Sequence, residues 1–451
     1  MRKIVHVLIL SVLLTLLCCT ALASSPDLSV AGITDASDAY MRIIEAHPDA
    51  KVTAISNPYY TSEMLINALL TGGFEYDIYT TITSAFNVPR LIEKGYCADL
   101  SDNEEIRALV DGMYAPIAAQ VRQGDAIYGL PINATINYLT YRPSAWTSAG
   151  LTEEDVPQTF NEFLDFLDRW MEDIQPELEE PYCVTSTFDE TLYTKDSYTS
   201  FLVEMLIERY IMQCNYAGEP LRFNNPAFLM LLERCREVGQ RLYELEPEPN
   251  VGTGLFEKST GMMALRQLIP LTITAEQPPL IRMNVNLLMV YTDTDAKALA
   301  EEFALYSYDM HNPNNQAILM KDCEAIETPG RNEALALWSG NVAEIERRLE
   351  SESMPADERD ELELELERFR LIVESISSDD SRYLYSPETL ALYRSYGDYF
   401  YIQPPHIFNP GTEEGRQLES LEKQYCESAI SAEHLVRRLD EMARMIEMEG
   451  K

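Results

Sequence analysis

Between residues 28 and 81 the chain alternates short apolar runs with amphipathic ones, and that alternation limits what it can fold into. LSVAGI (28–33) reads as a strand, the residues through Ala46 as a helix that Asp35 or Ser37 can cap, and KVTAI (51–55) as a second strand. A helix over 62–70 ends at Gly72-Gly73, where a helix end favours a left-handed residue, and FEYDIYTT (74–81) gives a third strand. Strand, helix, strand, helix, strand predicts a parallel, doubly wound α/β sheet. Residues 88–94 continue as helix, and this first lobe is complete by about Asn133. A chain of 451 residues is too long for one core and suits two lobes of about 150–200 residues each.

The next segment connects the lobes. Gly124-Asp125 is a turn dipeptide, 127–131 a short apolar strand, and Ile136, Tyr138 and Tyr141 mark a second extended run. Helices follow over 159–172, 198–214 and 226–245, then strands near 256–264 and 281–291. Pro278-Pro279 is extended and cannot join a ladder, so it suits the return crossing. Gly129-Leu130-Pro131, Tyr141, Ala149-Gly150-Leu151 and Thr159-Phe160-Asn161-Glu162-Phe163 together resemble the hinge passage of bacterial extracellular solute-binding proteins (family 1 type, carbohydrate-importer branch), the ligand-capturing subunits of ATP-binding-cassette importers. Arg142-Pro143 departs from that pattern. GYCADL (95–100), GEPLRFNNPAFLMLLERCREV (218–238), FEKSTGMMA (256–264) and the closing helix ISAEHLVRRLDEMARMIEMEG (430–450) resemble further family segments.

The resemblance implies a two-lobed periplasmic-binding-protein-like α/β fold, each lobe a doubly wound sheet flanked by helices, with extra C-terminal helices. Lobe 1 is expected over 24–134 and 283–345, lobe 2 over 135–282 and 377–451. Residues 341–376 stand apart as an acidic helical hairpin insertion joined at 351–355. Its apolar stripe is Leu362, Leu364 or Leu366, Phe369 and Ile372, and it either packs on a lobe or binds a partner.

Residues 1–23 have the parts of a secretory signal peptide: Arg2 and Lys3, an apolar run over 4–17, and Ala21-Leu22-Ala23 before a mature Ser24. Cys18 and Cys19 leave lipidation open as the rival. The protein is therefore expected outside the cell or in the periplasm, free or tethered. Losing Arg2 and Lys3 takes the formal charge from −39 to −41, which excludes nucleic acid as a partner because phosphate binding needs clustered Lys and Arg. Cys97, Cys183, Cys214, Cys235, Cys323 and Cys426 form no CxxC or Cys/His cluster, so no metal or cofactor is implied, and at most two disulfides are expected.

No GxSxG, HExxH, GxxxxGK[ST] or GxGxxG occurs, and the chain reads as a binding protein and not an enzyme. Open α/β sheets bind ligands at the carboxyl ends of their strands. Thr34 and Asp35 follow the first strand, Asn57 and Tyr59 the second, and Thr80 and Thr81 end the third. Asn133 and Asn137 flank the crossing. By the resemblance, Arg266 follows the strand leading to the pocket, where an aromatic is usual, and suits a carboxylate or acidic sugar. Tyr399 and Tyr401 lie where the family presents a stacking ring. Each of these residues has a structural alternative as cap, turn or core residue. The resemblance implies a monomer that captures a small organic ligand, a sugar or oligosaccharide, in an interlobe cleft and delivers it to a membrane permease. The alternative is an extracellular sensor or interaction protein of the same fold without transport.

Overall fold

The computed structural model describes residues 27–56, 62–178, 183–185, 193–246, 254–259, 267–309, 314–349, 355–377, 382–404 and 413–449. The expected signal peptide lies outside these residues, and among them no helix is long and apolar enough to cross a membrane. The described residues fall into two compact units: those of 1–111, 118–133 and 286–312 in the first, and those of 112–117, 134–285 and 313–451 in the second. Residues 313–345, assigned to lobe 1 from the sequence, group with the second unit in this division.

The elements follow in chain order. β1 is Leu28–Ala31, α1 Asp38–Ala46, β2 Val52–Ile55, α2 Ser62–Thr71, β3 Ile78–Ile82 and β4 Leu130–Tyr141. α3 is Phe160–Arg169, β5 Cys183–Thr185, α4 Ser197–Ala217, α5 Pro226–Leu245, β6 Gly254–Ser259 and β7 Gln267–Ile269. β8 is Ile281–Val290, α6 Lys297–Asp309, α7 Arg331–Leu349, α8 Ala356–Ser377, β9 Phe400–Ile402, α9 Glu413–Cys426 and α10 Ala432–Glu449.

In the first unit β1 lies between two parallel neighbours, with Leu28 opposite Val52 and Ala31 opposite both Ile55 and Tyr79. This is the doubly wound arrangement that the alternation predicts. Ser37 is the cap of α1, its hydroxyl accepting from Tyr40 N at 3.2 Å, so Asp35 does not cap. The Asp77 carboxylate joins three segments. It accepts from Ser29 N at 2.8 Å and Ser29 Oγ at 2.7 Å through one oxygen, and from Thr294 Oγ1 at 2.6 Å through the other. Gly32 turns the chain out of β1 at φ 100°. The last residues of β8 pair antiparallel with β3, Val290 opposite Ile78, and the sheet continues beyond β8 to β4.

β4 is one strand of 12 residues where the sequence predicts two extended runs. Pro131, its second residue, sits where a missing N–H is tolerated. The unit boundaries fall inside β4, after Asn133, and inside β8, after Val285, so both strands pass from one unit to the other.

In the second unit β6 and β7 both pair antiparallel with the end of β4, and β5 runs parallel to β6. α3 starts with a reciprocal cap: the Thr159 hydroxyl accepts from Glu162 N at 3.2 Å and the Glu162 carboxylate accepts from Thr159 N at 3.1 Å. Its fully buried Phe160, Phe163 and Leu167 join Phe256, Trp170 and the interior faces of α4, α5 and α10 in one core. Each such side chain contributes about 1.5–3 kcal/mol by leaving water. Tyr425 Oη donates to Leu232 O at 2.9 Å, and Asp440 accepts from Phe223 N at 2.6 Å, which ties α9 and α10 to the residues of and before α5.

α7 begins at Arg331, ten residues before the sequence expectation of 341. Ile345, Leu362 and Leu366 form a small core of their own between α7 and α8. Of the two alternatives in the stripe, Leu366 faces inward and Leu364 is 71% exposed. All six cysteines among the described residues are buried thiols without disulfides.

Candidate functional site

Two strands carry polar side chains on alternate positions where a core strand would be apolar. On β4 the half-buried Asn133, Thr135 and Asn137 alternate with buried Ile132, Ala134, Ile136 and Tyr138. On β8 the half-buried Arg282, Asn284 and Asn286 alternate with buried Ile281, Met283, Val285 and Leu287. Period-two alternation places each trio on one face of its strand.

In the second unit this polar face of β8 continues onto β9, which pairs parallel with Arg282 opposite Tyr401 and Met283 opposite Ile402. Gln403 N donates to Met283 O at 2.9 Å, so the register carries on and brings Gln403 abreast of Asn284. Asn284 Oδ1, Gln403 Oε1 and Arg282 Nε are buried and have no hydrogen-bond partner among the described residues. Folded proteins leave few buried polar atoms unpaired, because each costs about 1–3 kcal/mol. Three on one face mark a place where no group among the described residues completes the bonding.

Beside them α4 supplies charge. Arg282 Nη1 donates to Glu208 Oε1 at 2.6 Å, while Lys258 on β6 contacts Glu204 at 2.7 Å and Glu208 at 3.6 Å. Burial alone would raise the Glu208 carboxyl, but the Arg282 and Lys258 cations outweigh it and hold the group below the usual range. Burial would likewise lower Lys258, and the Glu208 and Glu204 carboxylates hold it above its usual value. Arg209, buried, is lowered to about 10 by desolvation and donates to Leu280 O at 2.9 Å. Glu422 on α9 is pushed up to about 8, first by burial and then by Glu204, Glu208 and Glu419. Asn137, Arg282, Glu208, Lys258, Met205 and Met212 line one small pocket here. The Tyr401 hydroxyl, bonded to Asn215, is raised by burial against the lowering effect of Asn215 and Arg282.

The residues singled out from the sequence separate into groups. Asn137 and Tyr401 belong to this face of the second unit, with the half-buried Tyr399 immediately before β9. Asn133 is the last residue of β4 within the first unit. Thr34 and Asp35 are exposed in the turn after β1, and Thr80 and Thr81 lie in the neighbouring β3, just before its last residue Ile82. Thr80 is half-buried, and Thr81 is buried with its hydroxyl unpaired. Asn57, Tyr59 and Arg266 lie outside the described residues. Arg282, Asn284, Gln403, Glu208 and Lys258 were not singled out, although the alternation in IRMNVN (281–286) was a readable signal. Among the described residues no group of three or more His, Cys, Asp or Glu side chains could hold a metal ion.

Residues 42–227 match the family model for bacterial extracellular solute-binding proteins. A search of curated protein sequences found no match. Among solved structures, the galacto-N-biose/lacto-N-biose I-binding protein of an ABC transporter from Bifidobacterium longum, in complex with lacto-N-biose, is similar at TM-score 0.51 and 11% identity, covering 95% of this chain and 97% of that one. A sugar transporter protein from Rhizobium etli in an open conformation matches at 0.50 and 13%, covering 93% and 99%. A de novo designed cysteine esterase also matches at 0.51 and 13%, covering 95% and 100%, so at such identities the likeness speaks for the fold alone. Residues 42–227 thus resemble the bacterial extracellular solute-binding family in sequence, and nearly the whole chain shares a fold with these solved structures.

Proposed function

We propose that the protein is an exported solute-binding subunit that captures an uncharged, hydroxyl-rich ligand, a sugar or oligosaccharide, and passes it to a membrane permease. The observation that carries this reading is the pair of unpartnered buried carboxamide oxygens on Asn284 and Gln403, beside the Tyr401 ring. Neighbouring ligand hydroxyls can donate to both oxygens, and C–H faces can lie on a tyrosine ring. The cations nearby are already occupied, Arg282 by Glu208 and Lys258 by Glu204 and Glu208, which leaves little excess charge for a carboxylate ligand. That favours a neutral sugar over the acidic one that Arg266 suggested. Sugar-binding importer proteins among the structural relatives support the ligand class.

No bond is broken in this function. The ligand stabilises the conformation that holds it best, and release to the permease follows from losing that preference. Export by cleavage before Ser24, a monomeric state and no binding of nucleic acid belong to the same proposal, with lipidation at Cys18 or Cys19 as the rival mode of export. The test is a melting screen over neutral sugars, sugar acids and peptides. A ligand at a hundred times its dissociation constant adds about 2.7 kcal/mol of stability. Stabilisation by neutral sugars supports the reading. Stabilisation by sugar acids alone would reverse the charge argument, and no response to any sugar would remove the reading.

A further inference from the structure

α7 and α8 form an antiparallel pair held from within by Ile345, Leu362 and Leu366, by an edge contact between Trp338 and Phe369 at 5.1 Å, and by Arg370 bonded to Glu346 at 2.6 Å. α8 has a second apolar stripe on its other side. At 100° per residue, Leu364 and Leu371 fall on one line about 140–180° from Leu362 and Leu366, two helical turns or about 10 Å apart. They are 71% and 61% exposed. Glu361, Glu367 and Arg368, all exposed, flank that line. Over 331–377 the sequence holds thirteen carboxylates and six arginines.

Two leucines seven residues apart, exposed on the side away from α7, offer an apolar contact at coiled-coil spacing. Here one side meets α7 and the other has leucines bordered by carboxylates. A second copy would bring the same acids against these, and an anionic membrane would repel them, so charge complementarity selects a basic occupant. We propose that the outer face of α8 docks a basic amphipathic helix from another protein, which adds as a third helix beside α7 and α8. Leucine-type residues at heptad spacing would seat on Leu364 and Leu371, with Lys or Arg facing Glu361 and Glu367. The inference does not depend on what the ligand site binds.

The experiment uses the whole mature chain and a labelled synthetic helix of about 18 residues, long enough to fold, built of leucine at heptad spacing and lysine. A peptide of the same composition in scrambled order is the control. The heptad peptide should bind more tightly than the scrambled one, and its binding should weaken as salt rises. Leu364→Ser with Leu371→Ser should lower affinity about tenfold, which is about 1.4 kcal/mol, without changing the melting temperature, since both side chains are exposed. Glu361→Lys with Glu367→Lys should weaken binding with the leucines intact. Met41→Ser with Met230→Ser, which removes apolar groups 54% and 52% exposed elsewhere, should have no effect. Equal affinity for the wild type and the leucine variant would overturn the proposal. So would a wild-type dimer in sedimentation that the leucine variant abolishes, because the face would then belong to a second copy.

Discussion

Asn284 and Gln403 stand abreast on neighbouring parallel strands, and each buries a carboxamide oxygen that nothing among the described residues bonds. Replacing either with leucine removes an unpaired polar atom. We predict that Asn284→Leu and Gln403→Leu leave the unliganded protein as stable as before, or up to about 1 kcal/mol more stable. Each should weaken ligand affinity about tenfold or more. Paired melting and calorimetric titration check this. Lost stability with unchanged affinity would mean that ordered water, and not a ligand, completes these bonds.

Glu208 balances both Arg282 and Lys258. Glu208→Gln leaves those cations short of a carboxylate, at an expected cost of about 2 kcal/mol, between the values for exposed and fully buried pairs. The same change should shift ligand preference toward anions, so that a sugar acid silent on the wild type stabilises the variant. The Glu208 carboxyl is depressed in the folded state. Its contribution is therefore present above the unfolded carboxyl range and is lost as pH falls through the lower folded value.

Glu422 has the opposite sign. Raised to about 8 by burial and then by Glu204, Glu208 and Glu419, it keeps its proton in the folded chain while the unfolded chain has ionised. Stability from this group is full below the unfolded value near 4.5 and is lost as pH rises toward about 8. Glu422→Gln should flatten that decline and stabilise the protein at pH 8 by on the order of 2 kcal/mol. Denaturant melts across the window check it, and parallel curves for wild type and variant would refute it.

Gly32 has φ 100°, and a Cβ built there would lie 1.8 Å from Thr80 Oγ1. Gly32→Ala should cost about 2 kcal/mol or more, from both backbone strain and overlap. Adding Thr80→Ala should recover most of the overlap, the Oγ1 and Cγ2 contacts, while the residue-80 Cβ stays 2.9 Å away and the backbone strain remains. A double-mutant cycle separates the two contributions, and full recovery would assign the whole cost to contact.

Much of the fold was legible because local patterns carried it. The alternation over 28–81 gives the parallel sheet, and Thr159 with Glu162 gives the start of α3. The choice between Asp35 and Ser37 was not legible, since either side chain can cap and only the backbone path after Gly32 decides. Gly340 lies inside α7. A glycine lowers helix propensity, which is why the reading began that helix after it. Of the candidate site, Asn137 was singled out for its place beside the crossing and Tyr401 through a family pattern. Asn284 and Gln403 were missed because their relationship depends on the pairing of β8 with β9. Those strands are more than a hundred residues apart in the chain, and no local rule records their register.

The six buried thiols have a practical consequence. Burial pushes Cys97 and Cys183 up to about 11 and Cys426 up to about 12, so these sulfurs stay protonated and poorly nucleophilic while the chain is folded. With these six thiols unpaired, adding a reductant should leave the melting point unchanged. Each cysteine is also an internal reporter: a thiol reagent that cannot enter the folded protein reads out, residue by residue, how often each unit opens.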